Sequence, residues 1–71
     1  MNFQKDITGV VVAQRDVEDA TMVLEEASYA IADIVDISSE LALLEVYVEG
    51  FDNMDNLRWV LVDGGINFDW E

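Results

Sequence analysis

Residues 59–70, Trp59-Val60-Leu61-Val62-Asp63-Gly64-Gly65-Ile66-Asn67-Phe68-Asp69-Trp70, decide the fold, because they support two incompatible readings. In one, Gly64-Gly65 is the two-residue turn of a hairpin that pairs Trp59 with Trp70 and Leu61 with Phe68. In the other, a helix runs from Asp52 to Asp63. Asp52 caps it, Asp55 stands three residues on, and Gly64 lies where a C′ glycine belongs. Met54, Leu57, Arg58 and Leu61 then share a face, and Ile66 to Trp70 becomes a final strand alternating apolar with polar residues. The helix is preferred, because its cap and its stop agree about both ends.

Upstream of this stretch, Leu41 to Glu49 is the clearest strand in the chain. Ala42, Leu44, Val46 and Val48 form one face, and Leu41, Leu43, Glu45, Tyr47 and Glu49 form the other. Ser38-Ser39-Glu40 reads as a hairpin turn before it. Ile7 to Ala13 is short and β-branched, as expected of a buried strand. Asp16 then offers an N-cap, with Asp19 at capping-box spacing and Glu18 and Asp19 suited to the dipole of a first turn. From Val17 the period is helical, with Val17, Ala20, Leu24, Ala27 and Ile31 on one face and Val23 beside them. No Gly or Pro marks where this helix stops. Ile34, Val35 and Ile37 favour a strand from about Ala32.

The resulting order, β-α-β-β-α-β over a single domain of residues 1–71, predicts a small α+β, ferredoxin-like fold: a four-stranded antiparallel sheet with two helices on one face. The alternative is β-α-β-β-β with the Gly64-Gly65 hairpin at its end. The Cys-x-x-Cys motif of metallochaperones that share this topology is absent.

Sixteen Asp and Glu stand against three Lys and Arg, a formal net charge of −13 on 71 residues. High charge with low hydrophobicity would mean disorder, but 52% of the residues are hydrophobic, which predicts a folded chain with an acidic skin. Like charges at this density repel and destabilise the compact state, so something must favour keeping them. The surface repels nucleic acid and anionic membranes alike. The N-terminal residues carry no charged-then-apolar leader, and no apolar run approaches the ~20 residues of a membrane span. A cytoplasmic protein is the expectation.

Chemistry at a catalytic centre finds little support. Cys and His are absent, which excludes thiolate and imidazole groups from acid/base work, metal ligation and nucleophile activation. Asp52-Asn53-Met54-Asp55-Asn56 hints at a calcium loop, but Met54 occupies a ligand position and the sixth-position Gly and twelfth-position Glu are missing. A carboxylate acid needs an apolar, water-excluding pocket, for which a domain of this size has little room. Gly64-Gly65 precedes a strand instead of opening a helix, so it cradles no phosphate. No catalytic residue, metal site or cofactor is assigned, and an enzyme is the least favoured class. Trp59 and Trp70 are read as core or sheet-edge packing.

Partner binding is better supported. On a helix continued past Ala27, Glu18, Asp19, Glu25, Glu26 and Asp33 gather opposite the core stripe, accompanied by Met22 and Tyr29. Asp16 and Asp36 extend the acidic run at its two ends. From Asp16 to Asp33 a helix spans about 26 Å, so its six carboxylates average one per roughly 4–5 Å, a density comparable to the ~3.4 Å phosphate repeat of a DNA strand. No basic residue lies between Arg15 and Arg58. Charged helix faces are usually just solvated, but such faces normally mix both signs. Met22 and Tyr29 read equally as scattered surface apolars or as anchors of an interface that the charges steer. A second surface is the strand face with Glu45, Tyr47 and Glu49 next to Leu41 and Leu43, which stays open if helices cover the opposite side.

In shortness, in charge and in the runs Asp16–Asp19, Glu25–Glu26 and Asp33–Asp36, the chain resembles the small acidic inhibitors made by bacteriophages, such as anti-restriction and anti-CRISPR proteins. The resemblance is one of class and carries no family motif. It implies a DNA mimic that blocks the basic groove of a nucleic-acid-binding host protein, such as a CRISPR effector or restriction nuclease, by charge and bulk without turnover. The place of action would then be the host cytoplasm. Two alternatives stand beside it. One is a regulatory interaction module that forms a homodimer through Leu41, Leu43 and Tyr47. The other is salt adaptation, which the Val-rich, Lys-poor composition fits and the low Thr content opposes.

Overall fold

A computed structural model describes residues 5–49 and 54–71, with side chains over 7–48 and 55–71. Strand β1 (Lys5–Ala13) leads through a 3-10 turn (Gln14–Asp16) into helix α1 (Val17–Glu26). Strands β2 (Ala30–Asp36) and β3 (Leu41–Glu49) follow, then helix α2 (Met54–Asp63) and the short strand β4 (Phe68–Trp70). The strands lie in the order β2-β3-β1-β4, every neighbouring pair antiparallel. This is the ferredoxin-like arrangement, and residues 54–63 being helical excludes the Gly64-Gly65 hairpin.

Alternation along the strands sorts the side chains onto two faces. Val10 and Val12 of β1 stand opposite Leu44 and Ala42 of β3, and all four are buried. Ala20 and Leu24 of α1 and Leu57 and Leu61 of α2 pack onto this side, with Val17, Ile31, Val60 and Phe68 filling its margins. Each such aliphatic side chain taken from water contributes about 1.5–3 kcal/mol, which makes this layer the principal source of stability. Both helices therefore cover one face of the sheet and leave the other open.

The two helices end alike. Beyond α1, the Ser28 amide donates to the Glu25 carbonyl (3.0 Å) and the Tyr29 amide to the Leu24 carbonyl (2.9 Å), with Ser28 at φ 71. Beyond α2, the Gly65 amide donates to the Val62 carbonyl and the Ile66 amide to the Leu61 carbonyl, both at 3.0 Å, with Gly65 at φ 74. Both are Schellman motifs, completed by the apolar pair each brings together: Tyr29 with Leu24, and Ile66 with Leu61, all four buried. The C′ glycine of α2 is thus Gly65, one residue beyond the expected Gly64. The expected cap Asp52 and the side chain of Met54 lie outside the described residues. Arg58, expected on the inner face, is exposed.

Asp16 occupies the N-cap position of α1, but its side chain makes no capping hydrogen bond, because the 3-10 turn already gives it helical backbone angles. Gln14 in that turn clasps the β2–β3 hairpin instead. Its Nε2 donates to Asp36 Oδ1 (2.9 Å) and to the carbonyls of Ser38 and Leu41 (3.1 Å each), while its backbone amide donates to the Glu40 carbonyl. Within the hairpin turn, the amides of Glu40 and Leu41 both donate to Ser38 Oγ at 3.2 Å.

Candidate functional site

Helix α1 stops at Glu26, so the long acidic face expected from Asp16 to Asp33 divides. Glu18, Asp19, Met22, Glu25 and Glu26 stay together, all exposed, on one stripe of a helix about 15 Å long. Met22 is 58% exposed at the centre of the stripe. Glu18 and Asp19 suit the positive end of the helix. Glu25 and Glu26 crowd its negative end, where the last turn holds no basic residue, and each costs about 0.3–1 kcal/mol there.

Tyr29 leaves this face altogether. As the residue after the αL turn it is only 8% exposed, and its hydroxyl accepts a hydrogen bond from Asn56 Nδ2 of α2 at 2.7 Å. It joins the two helices and is unavailable as a surface anchor. Ala27 and Ile31 likewise leave the helical stripe, Ala27 for the exposed turn and Ile31 for β2. Asp16 is half-buried beside the start of α1, and Asp36 is exposed at the hairpin, held by Gln14.

Asp33 moves from the expected helix to the open face of the sheet. Strand β2 pairs Ile31 with Val46 and then Asp33 with Glu45, leaving Ala32 as the extra residue of a bulge. Without that bulge, period-two alternation would put Asp33 on the same side as Ile31, under the helices. The extra residue sends Asp33 outward and Ile34 inward. The Ile34 amide, at the bulge, donates to Asp33 Oδ1 at 2.8 Å.

The strand registers make the open face a set of rows. Val35 of β2, Leu43 of β3, Val11 of β1 and Asp69 of β4 run across one row. Asp33, Glu45 and Gly9 run across the next. Glu71 continues it, its amide donating to the Gly9 carbonyl at 3.1 Å. A third row holds Ala30, Tyr47 and Ile7. Gly9 is a notch in the middle row: a Cβ there would lie 2.7 Å from Glu71 Oε1 and 3.0 Å from Leu43 Cδ1. Leu43 is 8% exposed at the centre, whereas Ile7, Val35 and Leu41 are 40–52% exposed. The backbone of Glu49 ends β3 opposite Lys5, and its side chain lies outside the described residues.

The strand-by-strand reading placed Leu41, Leu43, Glu45 and Tyr47 on this face but missed Ile7, Val11, Val35, Asp69 and Glu71. The β-α-β-β-α-β order already implies that β1 lies beside β3, so alternation along β1 was the signal that could have found Ile7 and Val11. Trp59 departs from its expected packing role: it is 57% exposed on α2, with the Arg58 guanidinium 5.7 Å from its ring centroid. Trp70 meets expectation at the sheet edge, edge-to-face with Phe68 at 5.0 Å.

At one end of the sheet, Ala13, Gln14, Arg15, Ser39, Glu40 and Leu41 line a cleft of about 550 Å³. Its polar side chains are an amide, a guanidinium, a hydroxyl and a carboxylate. Among the described residues, no three acidic side chains group as metal ligands would, and no helix is long and apolar enough to cross a membrane. Fold and surface together define a class: a small ferredoxin-like α+β domain with carboxylates on both of its broad sides. No protein-family model matches the chain, and no curated protein matches it.

Proposed function

We propose that this protein is a non-enzymatic inhibitor that imitates the charge of nucleic acid and occupies the basic groove of a nucleic-acid-binding protein. A nuclease or CRISPR effector of a bacterial defence system, met in the host cytoplasm, is the expected kind of partner. The observation that carries this reading is the α1 stripe. Four exposed carboxylates lie within about 12 Å of helix axis as two adjacent pairs, Glu18–Asp19 and Glu25–Glu26, a mean charge density comparable to the one phosphate per ~3.4 Å of a DNA strand. Glu25 and Glu26 stand where the helix dipole disfavours them, so they are kept at a cost to stability. A groove lined with Lys and Arg would offset that cost and steer the encounter. Met22, apolar and central, supplies contact area amid the charges.

The test is retention from a bacterial lysate at low salt on the immobilised protein and on a variant with Glu18, Glu25 and Glu26 changed to Lys. The wild type is expected to hold a basic nuclease or effector that elutes as salt rises, and the variant to lose it. Equal retention by both would refute the helix-face reading. Unfolding of the wild type when salt is withdrawn, followed by circular dichroism, would instead support salt adaptation.

A further inference from the structure

The open face of the sheet combines apolar rows with a row of carboxylates. Val35, Leu43 and Val11 form an apolar row, and Tyr47 and Ile7 form a second. Between these rows run the carboxylates of Asp33, Glu45 and Glu71, with Asp33 and Glu45 directly opposite each other on neighbouring strands. Like charges so placed repel, and the β2 bulge is what brings Asp33 into the row.

We propose that this face docks a protein segment that presents arginine or lysine between apolar side chains, such as a cationic amphipathic helix. The proposal rests on the reading that the partner is basic, and adds the surface and the chemistry by which it is gripped. Charge complementarity selects this occupant. Cationic heads would enter the carboxylate row, relieve the Asp33–Glu45 repulsion and let the flanking apolar side chains cover Val35, Val11 and Ile7 around the already buried Leu43. A guanidinium fits best, because it can bond a carboxylate through two parallel N–H groups.

A second copy of this chain suits the face less well. Self-pairing would bring together two chains of net charge −13 and set their carboxylate rows against each other. The homodimer through Leu41, Leu43 and Tyr47 therefore gives way to a basic partner.

The test titrates the full, isotope-labelled chain at low salt with three synthetic peptides: an amphipathic Arg/Leu peptide, its Gln/Leu counterpart, and oligoarginine. Amide shifts are expected to concentrate at Val11, Asp33, Leu43 and Glu45. The Arg/Leu peptide should bind at least about tenfold tighter than either control, since both parts of the surface must be matched. Glu45→Lys and the exposed-site variant Val35→Ser should each weaken it by about tenfold while the α1 amides keep their positions. Shifts confined to α1, or oligoarginine binding as tightly as Arg/Leu, would overturn the open-face site and leave the charge-mimic reading intact. No binding by either cationic peptide would overturn both. A sedimentation mass that rises with concentration in the wild type but not in Val35→Ser would assign the face to a second copy and overturn the proposal.

Discussion

Ser28 holds a backbone conformation that a residue with a Cβ adopts at a cost of about 1–2 kcal/mol, φ 71 in the left-handed region. The Schellman bonds and the burial of Tyr29 against Leu24 and Asn56 hold it there. Ser28→Gly removes the strain at a smaller entropic cost in the unfolded chain, so a net gain of about 0.5–1 kcal/mol is expected. Urea denaturation checks this: a raised midpoint at unchanged slope supports the assignment, and a lowered one contradicts it. The same position explains why Tyr29 was misplaced by its sequence. Seven residues after Met22, it falls on Met22's face of any helix that continues, and a serine gives no compositional warning of a left-handed stop. At Gly64-Gly65 the warning was present and the end of α2 was legible to within one residue.

At the scale of elements, the dipole of α1 opposes Glu25 and Glu26, two of the carboxylates of the proposed interface. Glu25→Lys with Glu26→Lys replaces two anions in the last turn with cations. Each change is expected to stabilise the fold by about 0.3–1 kcal/mol. The same double variant should weaken partner retention, so stability and binding move in opposite directions. If both fall together, the loss is structural and the stripe is not the interface. Strand β3 was legible because its alternation is uninterrupted, and β1 was legible as a strand because it is short and β-branched, although its Val10-Val11-Val12 run does not distinguish the two faces. Strand β2 was only partly so, because Ala32 and Asp33 break the period of two with a bulge that depends on pairing with Val46 and Glu45, and that pairing is a tertiary choice. The open face suffered for the same reason: its rows are assembled from four strands distant in sequence, and no single strand displays them.

At the scale of the whole molecule, the described residues form a sheet with helices on one side and carboxylates on both, on α1 above and in the Asp33–Glu45–Glu71 row below. A body acidic on two opposite sides suits a groove that grips nucleic acid from two sides better than it suits a flat partner. Its net charge of −13 should make association fast at low salt and steeply weaker as salt screens it. The most direct measurement is competition. A fluorescently labelled nucleic acid is bound to the nuclease or effector recovered from the lysate, and the protein is added while anisotropy is followed. Release of the intact nucleic acid at a saturating one-to-one ratio, lost at high salt and lost in the Glu18, Glu25 and Glu26 reversal, is the predicted result. Anisotropy that stays unchanged while the protein is bound to the same nuclease would contradict the account, because a mimic must exclude what it imitates.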